Sequence, residues 1–201
     1  MLENSAYVRV ILSDFTKAFD IADHIVLMSK LAELQLLGNV YNWIGSFLSP
    51  SQQVCPFSGE VSKSESFNLG FVQGSGLGHT LFLVLAQDLN TLSGNNELIK
   101  FADDSTLLVP EKTDVSVATE FSHIQDWAKD NSMITNLAKS KEIVCYNPRA
   151  IPAFIPSPIF GIERVSSVKL LGVYIQENFS CEMHFNILSL FQVRDFIYLR
   201  L

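Results

Sequence analysis

The spacing of apolar positions changes period several times along the chain. Tyr7 to Leu12 (YVRVIL) is a β-branched and aromatic run leading into Ser13-Asp14-Phe15, which predicts a strand that ends at a carboxylate. Ile21, Ile25, Met28 and Leu31 then recur at helical spacing, and Gly38-Asn39 supplies a stop, so a helix is expected from about Ala22 to Leu37. Val40, Trp43, Ile44, Phe47 and Leu48 make a second amphipathic stripe, closed by Ser49-Pro50-Ser51. From Gln53 to Asn68 the chain is polar, is broken by Pro56 and Gly59, and carries only short alternating pieces that suit a hairpin or edge strands.

Gly70 to Gly78 packs glycines at 70, 74, 76 and 78 just before an apolar stretch from Thr80 to Leu92, the pattern of a loop feeding a buried helix. Ile99 to Ala102 and Ser105 to Val109 are β-type runs joined by Asp103-Asp104, a hairpin with carboxylates at its tip. Val117, Phe121, Ile124, Trp127 and Ala128 mark a long helix ended by Asp130-Asn131. Glu142 to Tyr146 reads as a strand, Pro148 to Pro158 as a proline-rich connector, Lys169 to Ile175 as a last strand, and Phe179 to Leu201 as an incomplete helix. The sum is an α+β fold with strands and helices irregularly interleaved. Residues 1–147 form its core; 148–201 hold the connector, final strand or strands and C-terminal helix.

Composition narrows the classes. In 201 residues, 48% are apolar and 17% charged, the balance of a folded globular chain rather than a disordered one. The longest apolar run, Leu81 to Ala86, is far shorter than the roughly 20 residues a membrane span needs, and the N-terminus lacks the order of a secretory signal. An intracellular protein, cytoplasmic or nuclear, is expected. Cys55, Cys145 and Cys181 are odd in number and widely spaced, which suggests neither a disulfide framework nor a zinc site. A formal net charge of −7 removes the basic footprint that gives non-specific nucleic-acid affinity, so such a partner has to be argued from a site.

That site is sought among the acids. Asp14 at a strand end and Asp103 with Asp104 at a hairpin tip are three carboxylates that one fold could gather. Clustered like charges raise one another's pKa, and a hard divalent cation such as Mg²⁺ relieves them. Two such ions about 3.5–4 Å apart serve in-line phosphoryl displacement. Taken alone, an Asp-Asp pair between strands is commonly a solvated turn.

The company these acids keep is more specific. Asp14-Phe15-Thr16-Lys17-Ala18-Phe19-Asp20, Gln73-Gly74-Ser75-Gly76-Leu77-Gly78 and Phe101-Ala102-Asp103-Asp104 occur in that order. Ile124-Gln125-Asp126-Trp127-Ala128, Asn136 to Lys141, and Val168-Lys169-Leu170-Leu171-Gly172-Val173 follow them. From about Tyr7 to Cys181 the chain resembles the reverse transcriptase domain of LINE-type (non-LTR) retrotransposons. The resemblance implies a polymerase palm, an antiparallel sheet with packed helices, lacking complete fingers and thumb. It implies RNA-directed DNA polymerase chemistry on deoxynucleoside triphosphates, with an RNA template and a DNA primer as partners. Asp14, Asp103 and Asp104 would be catalytic and hold two Mg²⁺ ions, with Mn²⁺ as the alternative ion. Phe15, Phe19, Gln73, Gly74 and one of Lys139 and Lys141 would face the nucleotide, Phe19 as the ring that excludes a 2′-hydroxyl.

The chain also departs from the family pattern. Gly-x-Pro-Gln-Gly reads Gly70-Phe71-Val72-Gln73-Gly74, and Leu-Gly-Pro reads Leu77-Gly78-His79, so two loop-stiffening prolines are replaced, at about 0.4–1 kcal/mol each. An arginine common near Gln-x-Val is missing from Pro50-Ser51-Gln52-Gln53-Val54. With one strand before Asp14 and a short tail, fingers and thumb are not expected, primer-template binding should be weak, and a partner chain could cover exposed palm surface. A non-catalytic remnant of the same fold, acting as an interaction module, is the alternative; a palm-fold cyclase is disfavoured by the match beyond the acids.

Overall fold

A computed structural model describes residues 1–49, 51–72, 74–147, 152 and 154–188. In chain order the elements are β1 (Tyr7–Ser13), α1 (Ala18–Ile21), α2 (His24–Glu33), α3 (Gly38–Leu48), β2 (Ser51–Gln53), β3 (Pro56–Phe57), β4 (Glu60–Val61) and β5 (Glu65–Phe67). They continue with α4 (Gly78–Leu85), β6 (Glu97–Phe101), β7 (Asp104–Pro110), α5 (Val117–Asp130), β8 (Lys141–Tyr146), β9 (Glu163–Arg164), β10 (Ser167–Leu170) and β11 (Val173–Gln176).

The main sheet runs β6-β7-β1-β8-β9, antiparallel throughout except for the short β8–β9 pair. β1, at its centre, sets Ile11 opposite Leu107 on one side and Glu142 on the other. Ile11, Leu107 and Val109 therefore share one face, where they join Leu27 and Leu31 of α2, Leu81, Phe82 and Leu85 of α4, and Phe121, Ile124 and Ala128 of α5 in one core. Each of the larger of these side chains taken fully from water stabilises the fold by about 1.5–3 kcal/mol. Val8, Val10 and Leu12 alternate to the opposite face. There they line an apolar cavity of about 410 Å³ with Val168, Leu170 and Ile175 of the β10–β11 hairpin.

Strand β1, helices α3 and α5 and strand β8 form where the apolar pattern places them. Ser116 caps α5 by accepting from Thr119 N–H at 3.1 Å, and Asn131 ends it, so the stripe beginning at Val117 is framed by polar signals at both ends.

Three elements differ from the sequence reading. The helix expected over Ala22 to Leu37 is the shorter α2. Asp23 caps it, its Oδ1 accepting from Ile25 and Val26 N–H at 2.8 and 3.4 Å, while Gln35 takes a left-handed φ of 51° beyond its end. Gly38, expected as a stop, instead opens α3. The apolar stretch after the glycine loop is helical only to Leu85, because Lys100 on β6 draws the chain into a turn, donating to the carbonyls of Ala86 and Leu89 at 2.9 and 2.8 Å. The single strand expected at Lys169 to Ile175 is a hairpin, since Leu171 and Gly172 both adopt positive φ (47° and 87°) in the two-residue turn between β10 and β11. Gln73, most of the connector from 148 to 153, and 189–201 of the expected C-terminal helix lie outside the described residues; 182–188 are helical.

Candidate active site

Register brings the acids together. The last β1–β7 pair is Ser13 with Ser105, so one step further along the antiparallel ladder Asp14 comes opposite Asp104. On the other side the last β1–β8 pair is Leu12 with Lys141, and the same extension carries Lys139 towards Asp14. Lys139 Nζ stands 3.7 Å from Asp14 Oδ2, Asp14 N–H donates to Ser140 Oγ at 3.4 Å, and Asn136 N–H donates to Asp14 O at 2.8 Å. Asp103 lies in the tight turn closed by the Phe101–Asp104 pair, after Ala102, which takes a left-handed φ of 52° without being glycine. Such a conformation costs about 1–3 kcal/mol. Alternation along the strands puts Asp104 on the face with Leu12, away from the helices.

Electrostatics registers the gathering. Burial, with the negative charges of Asp103 and Asp14 added, holds the Asp104 carboxyl above its ordinary value of 3.8. Asp14 Oδ2 is buried and without a hydrogen bond. Among the described residues, however, no three His, Cys, Asp or Glu side chains form a group that could hold a metal ion by themselves. Oxygen donors with an orphaned carboxylate atom are the chemistry that Mg²⁺ prefers, and Mg²⁺ is ordinarily bound by one or two carboxylates plus water and substrate phosphates rather than by an all-protein cage. The residues present fit that mode of binding.

The remaining candidates separate. Phe15 is buried and packs on Trp127 with ring centroids 6.0 Å apart, a core contact that keeps its side chain from the site. Phe19 is half-buried, stacked on Phe82 at 4.8 Å, and lines a cavity of about 270 Å³ together with Gly74, Ser75 and His79. Gln73 lies outside the described residues. Of the two lysines, Lys139 reaches Asp14, whereas Lys141 pairs with Glu163 at 2.5 Å on the neighbouring strand.

The loop before α4 is tied to α1 at Gly70. Its N–H donates to Ala22 O at 2.8 Å, Phe71 N–H donates to Phe19 O at 2.7 Å, and His24 Nε2 donates to Gly70 O at 2.7 Å. Glycine is required there: φ is 78°, and a Cβ would stand 2.5 Å from Asp20 O.

Sequence reasoning passed over two supports of the site. Glu142 on β8, fully buried, receives Arg9 and Arg164 at 2.6 and 2.8 Å and the Ile159 N–H at 3.1 Å. Asp88 accepts from Lys30 at 2.6 Å and from Trp127 Nε1 at 3.0 Å, and although burial opposes it, these bonds hold its carboxyl below 3.8. An available signal for the first was a charged residue inside each of two apolar strands, Arg9 in YVRVIL and Glu142 in KEIVCY.

Residues 2–175 match the reverse transcriptase (RNA-dependent DNA polymerase) family, and the chain belongs to it. Among solved structures, telomerase from Candida tropicalis in complex with a TWJ fragment of telomeric RNA aligns with TM-score 0.61 and 12% identity, over 89% of this chain and 30% of that one. Apo telomerase from Candida tropicalis, truncated from its C-terminal domain, aligns with TM-score 0.55 and 12% identity over 89% and 36%. Telomerase from Candida albicans, also with a TWJ fragment, aligns with TM-score 0.52 and 13% identity over 86% and 30%. At these identities the likeness is one of fold, and this chain spans about a third of those proteins' length. No curated protein sequence matches it. No helix among the described residues is long and apolar enough to cross a membrane.

Proposed function

We propose that the chain is the palm of a LINE-type reverse transcriptase, and that Asp14, Asp103 and Asp104 serve template-directed transfer of deoxynucleotides to a primer 3′-hydroxyl. The observation that carries this reading is the register that brings Asp14 opposite Asp104 at the ends of β1 and β7, with Asp103 in the adjoining turn. Asp14 and one or both hairpin acids would hold Mg²⁺, which would lower the pKa of the attacking hydroxyl and stabilise the pyrophosphate leaving group. The carboxylates orient and charge the site from the helix-free face, where an RNA template and DNA primer would lie. Phe19 would meet the sugar of the incoming nucleotide, and Lys139, with its side chain 73% exposed, is free to exchange Asp14 for a phosphate.

A second reading, a non-catalytic remnant acting as an interaction module, draws on two observations: the net charge of −7, and exposed apolar side chains at Trp43, Phe57 and Phe160 that a partner chain could cover. Primer extension on an RNA template with deoxynucleotides and Mg²⁺ separates the two. Extension that disappears in the Asp103→Asn, Asp104→Asn double variant is the expected result; a folded wild-type chain that extends nothing favours the remnant.

A further inference from the structure

The cavity beside Phe19 contains a polar side chain that the family resemblance does not supply. His79 stands where the family pattern has proline, in the first turn of α4, and its ring lies 5.4 Å from that of Phe19 at an interplanar angle of 57°. Phe71 meets Phe19 edge-on at 6.1 Å and Phe82 stacks beneath it at 4.8 Å, so the Phe19 ring is held from three sides by other rings. Among the described residues the cavity is lined by Phe19, Val72, Gly74, Ser75, Gly78 and His79. Only two of these bring a polar side chain. Ser75 Oγ accepts from Gly78 N–H at 3.1 Å, which leaves its O–H to donate. The exposed imidazole makes no hydrogen bond among the described residues, so its ring packs on Phe19 while its two nitrogens remain unengaged there. An imidazole both donates and accepts, as sugar hydroxyls and phosphate oxygens require of a partner. The volume, about 270 Å³, suits a pentose with its immediate substituents better than a whole nucleotide.

We propose that His79 is a sugar-recognition residue. It closes the pocket over Phe19 and, with the Ser75 hydroxyl, forms the hydrogen-bonding wall against which the sugar and adjoining phosphate of a nucleoside triphosphate are seated. This rests on reading the Phe19 cavity as a nucleotide site. A single net hydrogen bond of this kind predicts a five- to tenfold effect on binding.

Two measurements test it. The first compares extension with dTTP and with UTP by the wild type, His79→Ala, His79→Gln and His79→Phe. Expected for His79→Ala is a KM for dTTP raised about five- to tenfold with kcat little changed, and a smaller preference for dTTP over UTP. The hydrogen-bonding variant His79→Gln should restore much of this and the packing variant His79→Phe should not. Restoration by His79→Phe alone would make the residue a wall and nothing more, and overturn the proposal; so would His79→Ala indistinguishable from an active wild type. The second follows the imidazole Cε1–H resonance of His79, assigned by its loss in His79→Gln, as dTTP is added with Mg²⁺. A shift in a chain that extends no primer would support the contact while removing the polymerase reading. A chain that neither extends nor shifts overturns both, whereas an active chain whose His79 resonance stays still overturns this one alone.

Discussion

Glu142 and Asp104 are both acids of one sheet, each a strand away from β1, yet their surroundings are opposite. Glu142 is shut from water and met by Arg9, Arg164 and the Ile159 N–H. Asp104 lies on the other face at the sheet's end, where the charges nearest to it are those of Asp103 and Asp14, and among the described residues no basic side chain pairs with it. Burying a charge costs several kcal/mol, and the fold tolerates it at Glu142 because two guanidiniums and a backbone donor compensate. Asp104 is exposed at the start of β7, so water compensates its charge while Asp103 and Asp14 oppose it. Glu142 is tied into the fold by its partners, whereas Asp104 is brought near two other carboxylates with no basic partner among the described residues. Glu142 also fastens the segment around Ile159 to β8, the strand that leads back to Lys139 and Asp14.

Breaking the compensated side of this contrast should have the largest effect on stability. Glu142→Ala leaves Arg9 and Arg164 facing each other without their counter-charge, and a loss of about 3–5 kcal/mol is expected as a lower urea midpoint with little change in slope. A loss below about 1 kcal/mol would mean the cluster is dispensable. Arg164→Ala removes one partner and keeps the other, so about 1.5–3 kcal/mol is expected from the same titration.

The uncompensated side should respond in the reverse sense. Asp104→Asn removes a charge that its neighbours repel, so extension should be abolished while stability stays within about 0.5 kcal/mol of wild type or rises slightly. A clear loss of stability would place Asp104 with Glu142 as a structural acid. The pH dependence sharpens this. Because the folded-state pKa of Asp104 is raised, its contribution to stability is full below the ordinary 3.8 and is lost as pH rises through the folded value. The stability advantage of Asp104→Asn should therefore grow with pH through that window, and Mg²⁺ should shrink it at neutral pH. An advantage that is flat with pH would mean that neither the surroundings of Asp104 nor its acidic neighbours shift its titration. A loss of stability of at most about 0.5 kcal/mol is expected for Lys139→Ala, since the pair with Asp14 is long and exposed on the lysine side.

Much of the fold was legible where one face of an element is buried by its own pattern. The stripe of α5 and the alternation in β1 and β7 need no distant information. Boundaries were misjudged where a single side chain ends an element: Asp23 capping α2, Lys100 collecting the carbonyls after α4, and Leu171-Gly172 turning one apparent strand into two. That Asp14, Asp103 and Asp104 sit at element ends was legible from the local pattern. That Phe15 packs in the core on Trp127, and that Lys139 rather than Lys141 stands beside Asp14, could not be read from residues so close in sequence.

What the amino-acid sequence determined by itself is local: which segments are strands and helices, which positions are apolar, and that carboxylates close two of the strands. Those follow from periodicity and turn chemistry, which act over a few residues. Only the tertiary structure decided which charges meet. Strand register set Ser13 against Ser105 and so brought Asp14 near Asp104, it placed Glu142 opposite Ile11 within reach of the Arg9 side chain, and the packing of α1 on the loop before α4 put His79 over Phe19. Electrostatic energy depends on distances between residues far apart in the chain, and those distances exist only once the sheet has formed.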